Sequence, residues 1–481
     1  MLKVLIITST GNKYWFEEIC GISGNHTETD SFCLKQDGMS LEFRFVFSLE
    51  QAVSESIKSF WDCVVIDADP DRGIVEKFLV QITGSNFGYL NVSCSRTLLV
   101  FRSTVPDTEE ILHLGKKKAG GIYIHKYQNN FLENVLKLAR PKNPGKTAVC
   151  CAGGGIEGLI YEIGALRCVD ESLKGSSLTD FDNFYGISAG AIMASCLANG
   201  IPPVELARSF MHDSTVLSSI KPGKLFDPAL SELFMALFQS FSSTAFSNES
   251  ILHKLFRAVP NAFFKGDIIE KVIKSTFNMP GMTNDFKNLK KGLYIGATDQ
   301  DTYEHVVFGS RGWDDIPISR AIHASMSLIP FYTPQYINGR WFIDGSYTRT
   351  SEIEVAIEDG ATLIIIVDPL VPIRSGQSGF VKSKGGVFAS IQGLKALINT
   401  RFMGMLPHLA ESHPEVDIII FVPKEDDMRI MSGSPLKLNF QVEIERISYE
   451  ETKRRMVEQY HFVKTAFERH GLEIDIDSSE L

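Results

Sequence analysis

Three features of the sequence predict a two-unit α/β fold. Short apolar runs alternate with helical stretches along nearly the whole chain. The charged segment Arg140-Pro-Lys-Asn-Pro-Gly-Lys146, with two prolines and a glycine, interrupts that alternation. The length, 481 residues, exceeds what one compact domain usually holds.

In the first unit, residues 1–140, β-strands are expected at Lys3–Ile7, Glu42–Phe47, Cys63–Ile66, Thr97–Phe101 and Gly121–Ile124. Helices between them include Leu49–Phe60 and Phe131–Ala139. Strand–helix alternation of this kind implies a parallel sheet covered on both faces. After the linker at 141–146, a second unit runs from 147 to 481, with strands at Thr147–Cys151, Phe184–Ile187, Leu293–Thr298, His305–Phe308, Arg340–Ile343, Thr362–Val367 and Asp417–Val422. Residues 203–277 read as a mostly helical cap region, and Tyr449–His470 as a closing helix.

A composition of 44% hydrophobic and 22% charged residues supplies a sizeable core, and a net charge of −10 argues against nucleic acid as a partner. The N-terminal apolar run is too short for a secretory leader, and no stretch of about eighteen apolar residues predicts a spanning helix. The eight cysteines are scattered without a CxxC pair, which suits reduced, buried thiols in a cytoplasmic protein and gives zinc no support.

Three motifs carry chemistry. Gly186-Ile187-Ser188-Ala189-Gly190 lies between a strand-like run and a small-residue helix, the layout of a nucleophile elbow. Gly186 and Gly190 leave room for strand and helix to approach the turn. The bland alternative is a tight turn with a capping serine. Second, Gly153-Gly154-Gly155-Ile156-Glu157-Gly158 follows a strand and precedes a helix. Its bare amides suit an oxyanion hole. Gly153, Gly155 and Gly158 also satisfy GxGxxG, but the acid that a dinucleotide fingerprint needs at the end of the next strand is missing, and that strand ends in the elbow serine. Third, Asp344 ends the apolar run Trp341-Phe-Ile and is followed by Gly345-Ser346. Upstream, Ala321-Ile-His-Ala-Ser-Met-Ser-Leu-Ile-Pro330 reads as a small-residue helix suited to close packing.

These motifs, in this order, resemble the patatin-like phospholipase family across about 147–421. The resemblance implies a three-layer, α/β-hydrolase-related catalytic domain with a Ser188–Asp344 dyad. Ser188 would be the nucleophile, Asp344 the general base, and the amides at Gly153, Gly154, Gly155 and Gly158 the oxyanion hole. It implies a phospholipid or related lipid ester as substrate, peripheral contact with the inner face of a membrane, and neither cofactor nor metal. Glu157 stands where many members carry a basic residue, so it is expected to face solvent or a neighbouring Lys or Arg. The mechanistic rival, a triad through His323, competes with a packed helix histidine. The apolar stripe Leu230, Leu233, Phe234, Leu237, Phe238 and Phe241 has helical spacing and suits a cap helix facing the core better than a lid.

The first unit resembles, more loosely, a response-regulator receiver. Asp67, Ser103, Thr104 and Lys126 stand after successive strands, but Thr8-Ser9-Thr10 replaces the acidic magnesium ligands. A degenerate receiver used for docking a protein partner or for homodimerisation, and an unrelated flavodoxin-like fold, both fit. The alternative for the whole chain is a catalytically weak regulatory protein that recruits partners through this unit.

Overall fold

The structure is a computed structural model and describes residues 2–9, 14–21, 30–36, 38–59, 61–84, 96–116, 119–139, 144–211, 266–329, 331–413, 415–423 and 438–476. The chain divides into two compact units. One comprises residues 1–144 with 404–417 and 456–471; the other comprises 145–403, 418–455 and 472–481.

The first unit holds a six-stranded sheet of β1 (Leu2–Ile7), β2 (Ser31–Gln36), β3 (Met39–Val46), β4 (Cys63–Asp67), β5 (Thr97–Phe101) and β6 (Gly121–Ile124) in the order β2-β3-β1-β4-β5-β6. All neighbours run parallel except β2, which is antiparallel to β3 at the edge. Without β2 the order is 2-1-3-4-5, a common doubly wound arrangement. Alternate side chains feed two cores. Val4, Ile6, Phe43, Val65 and Val100 join Phe16 and Phe131 on one face, while Leu5, Ile7, Val64, Ile66 and Leu99 join Phe78 and Leu79 on the other. At the carboxyl ends of the strands Asp67 is buried and accepts hydrogen bonds from Thr8 Oγ1 (2.8 Å) and Arg102 Nε (2.9 Å). The hydroxyls of Ser103 and Thr104 donate to Asp69 instead, and Lys126 is exposed.

The second unit is built on an eight-stranded mixed sheet. Its strands are β7 (Lys146–Cys151), β9 (Asn183–Ile187), β10 (Gly292–Asp299), β11 (His305–Phe308), β12 (Gln335–Ile337), β13 (Arg340–Asp344), β14 (Ala361–Val367) and β15 (Asp417–Phe421); the two-residue β8 (Leu173–Lys174) pairs elsewhere with β16 (Glu473–Ile474). The central strands β14, β7, β9 and β10 are parallel. Every residue of β9 is buried, as expected where helices cover both faces.

The flanks of β10 position the site. Ile295 and Gly296 pair with β9 on one side and with β11 on the other; Ala297 and Thr298 pair with β13 and with β11. Since β11 occupies one edge throughout, β9 and β13 must share the other, end to end. Gly296 faces Ile187 and the next residue, Ala297, faces Asp344.

The helices that matter here are α1 (Gly155–Ser172), α2 (Ala189–Ala198), α3 (Asp267–Phe277), α4 (Ile318–Ser325) and α5 (Gly386–Ser412). The closing segment, expected as one helix, is two: Leu438–Glu458 and Tyr460–Arg469. No helix among the described residues is long and apolar enough to cross a membrane. The seven described cysteines are free, and five of them are buried.

Candidate active site

Ser188 has φ 55° and ψ −126°, a conformation an L-residue seldom adopts, and it forms the junction between β9 and α2. The strain, on the order of 1–2 kcal/mol, turns the chain so sharply that strand and helix nearly touch. A Cβ on Gly186 would lie 2.5 Å from the Ala191 Cα, and one on Gly190 would lie 2.3 Å from the carbonyl oxygens of Cys151 and Ala152. Because those oxygens belong to backbone that cannot yield, Gly190→Ala is expected to lower stability by about 3 kcal/mol or more, read as loss of soluble protein or a sharply lowered melting temperature.

The glycine loop lies directly over the serine. A Cβ on Gly153 would meet Ser188 Cβ at 3.1 Å and Ser346 Oγ at 2.9 Å. Gly154 has φ 152°, which leaves its amide and that of Gly155 ahead of the first helical hydrogen bond of α1. That first bond runs from the Gly158 N–H to the Gly154 carbonyl (3.0 Å), so the Gly158 amide, expected to be an oxyanion donor, is already used by the helix. Gly158 serves packing instead: its added Cβ would lie 2.9 Å from Pro369 Cγ. Glu157 is half-buried, with Lys395 of α5 as its electrostatic partner; burial pushes the carboxyl up and Lys395 pulls it back. Lys395 is 7% exposed, so the cation that acts on Glu157 is itself buried.

Asp344 is 1% exposed. Its Oδ1 accepts the Ser346 amide at 2.8 Å, while Oδ2 is buried and makes no hydrogen bond of good geometry. Burial raises its pKa from 3.8 to about 6; the adjacent Ser188 hydroxyl and the Ser346 amide offset part of that rise. Strand β13 is antiparallel to β10, so Asp344 owes its place to register along β10, where β9 and β13 meet.

Several residues outside the elbow, the glycine loop and the Asp344 motif support this pair, the first of them in the small-residue helix expected to pack closely. Ser325 Oγ, at the end of α4, accepts the Ser188 amide (2.8 Å) and donates to the Gly296 carbonyl (2.6 Å), tying the elbow to β10. The turn after Asp344 is fastened by His305, whose Nδ1 is 2.6 Å from Thr348 Oγ1 and whose Nε2 is 2.5 Å from Glu352 Oε1. Glu352 is 1% exposed. His305→Ala would strand much of that buried carboxylate, and a loss of about 2–3 kcal/mol in denaturant unfolding is expected. Arg401 Nη2 holds the same turn by donating to the Ser346 carbonyl at 2.9 Å.

Residues 149–357, which contain the elbow, the glycine loop and Asp344, match the family model "Patatin-like phospholipase". This segment is a patatin-like phospholipase domain. Among solved structures, VipD from Legionella pneumophila is similar at 14% identity and a TM-score of 0.32, covering 66% of this chain and 67% of its own. The type III effector protein ExoU is similar at 15% identity and a TM-score of 0.32, over 66% of this chain; the present chain spans only 54% of ExoU. Full-length ExoU with full-length SpcU, from the type III secretion system of Pseudomonas aeruginosa, is similar at 16% identity and a TM-score of 0.28.

Within the patatin-like domain His323 is 1% exposed and its Nδ1 lies 3.1 Å from Glu270 Oε2 on α3. It is a packed helix histidine, and the hydrogen bond to it is the leading reason that the Glu270 carboxyl is lowered to about 2. The apolar stripe at 230–241, and most of the expected cap region, lie outside the described residues.

Proposed function

We propose that the protein is a serine–aspartate lipid acyl hydrolase that cleaves carboxylic ester bonds of phospholipids or related lipids through an acyl-enzyme. The observation that carries this reading is a strained serine whose hydroxyl adjoins a buried carboxylate, beneath helix-entry amides that the helix leaves unused. An aspartate at its usual pKa of about 3.9 is a poor base; desolvation makes Asp344 a better one. In this mechanism Asp344 takes the Ser188 proton as Oγ attacks the ester carbonyl. The amides of Gly154 and Gly155 bind the oxyanion, aided by the positive end of α2. Asp344 then returns the proton to the departing alcohol and activates the water that frees the fatty acid. Residues 1–140 are assigned the recruitment of a protein partner or a second copy.

The test is a phospholipid panel dispersed in detergent, with released fatty acid measured by mass spectrometry, alongside labelling by a fluorophosphonate. Release with labelling at Ser188 is expected. Neither release nor labelling across the panel would sink the proposal.

A further inference from the structure

The register that unites the dyad also fixes where two hairpins point. Strand β10 runs parallel to β9 and continues three residues beyond Gly296, the partner of the last β9 residue, before turning into β11 at 300–304. Strand β13 continues the line of β9 past that same carboxyl rim, and the Asn338-Gly339 turn to β12 lies farther out still, because Asp299 already faces Phe342. Both hairpin ends therefore project from the rim that bears Ser188.

These ends carry aromatic rings that the fold leaves outside. Tyr303 is 69% exposed at one; Tyr336 (54%) and Trp341 (46%) are cross-strand partners at the other, with ring centroids 5.0 Å apart. Among the described residues, the non-glycine positions with positive φ are Ser188, Tyr303 (57°) and Asn338 (48°), all on this rim. Asparagine tolerates that conformation; for tyrosine it costs on the order of 1–2 kcal/mol. A strained turn that holds an aromatic ring in water points to something that receives the ring.

We propose that Tyr303, Tyr336 and Trp341 dock the enzyme on a zwitterionic phospholipid surface, an inference that rests on the lipid hydrolase reading. Tyrosine and tryptophan combine an apolar body with a polar tip and settle at the boundary between head groups and acyl chains. The charge around them selects the surface. Arg340 is engaged by Asp299 (2.6 Å) and Glu304, and Arg320, beside the Tyr336 carbonyl, pairs with Glu270 (3.0 Å). Asp301 adds a further carboxylate, so among the described residues these ends carry no cation without an acidic partner to attract anionic lipid.

The experiment uses full-length Ser188→Ala, which does no chemistry, so binding is read independently of the labelling that tests the hydrolase reading. Flotation with phosphatidylcholine vesicles is expected, with a blue shift of tryptophan emission, since Trp341 alone of the four tryptophans is exposed. Adding Tyr303→Ala and Trp341→Ala should weaken binding by on the order of tenfold or more, with melting temperature retained; Trp341→Tyr should keep most of it. Salt at about 0.5 M, where screening is nearly complete beyond a few ångströms, should have little effect. No binding to phosphatidylcholine, undiminished binding by the double variant, or salt-sensitive binding only to phosphatidylglycerol would each overturn the proposal.

Discussion

Ser188→Ala is expected to reduce ester hydrolysis by about 10⁴-fold or more and to abolish fluorophosphonate labelling while leaving the fold intact. The hydroxyl is the only atom lost, and the backbone strain at φ 55° stays because alanine keeps the Cβ. Ser188→Gly should be equally inactive yet more stable than Ser188→Ala by about 1 kcal/mol, because glycine enters that region without steric cost. Comparing the two melts separates strain from chemistry. Retained labelling in either variant would move the nucleophile elsewhere.

Asp344→Asn should lower kcat by about 10³-fold, within the range that a positioned base contributes. The same change should stabilise the protein at neutral pH. Burial raises the folded pKa from 3.8 to about 6, so the fold prefers the neutral acid. This contribution favours the native state below about pH 4 and is lost as pH rises through 6. An unopposed shift of about two pH units corresponds to about 3 kcal/mol. The asparagine amide, left without an acceptor where Oδ2 now lies, would take some of this back. Urea unfolding should therefore show near parity at pH 4 and an advantage of about 1–3 kcal/mol for the variant at pH 8. Wild-type turnover should climb with pH through about 6 and then level. A variant equally stable at both pH values, or a flat wild-type profile, would contradict the buried-base assignment.

What was legible in the sequence follows from how local each signal is. The runs Cys63–Ile66, Thr97–Phe101 and Gly121–Ile124 are apolar enough to mark parallel strands, and the structure has strands there. The edge strand Ser31–Gln36 was not expected, because its side chains alternate between exposed and half-exposed and carry little apolar contrast. Strand β12 has only three residues, too few for periodicity to register. In the site, the elbow and glycine loop are contiguous motifs and could be read directly. That the Gly158 amide is used by the helix depends on the residue at which α1 begins. That Glu352 binds His305 and Ser325 ties the elbow to β10 depends on contacts between segments far apart in the sequence. The assignment of 404–417 and 456–471 to the first compact unit is likewise a long-range property, invisible to a reading that places boundaries along the chain.

Because Ile187 and Asp344 take adjacent seats on one edge of β10, that strand acts as a ruler common to Ser188 and Asp344, the proposed nucleophile and base. The length of chain between nucleophile and base is then irrelevant to their spacing. Insertions among residues 200–290 can grow or shrink, at a closure cost that rises only logarithmically, without moving either group. A nascent chain cannot bring Ser188 and Asp344 together until β10 has paired with both strands, so on the proposed mechanism turnover would report on completion of the sheet.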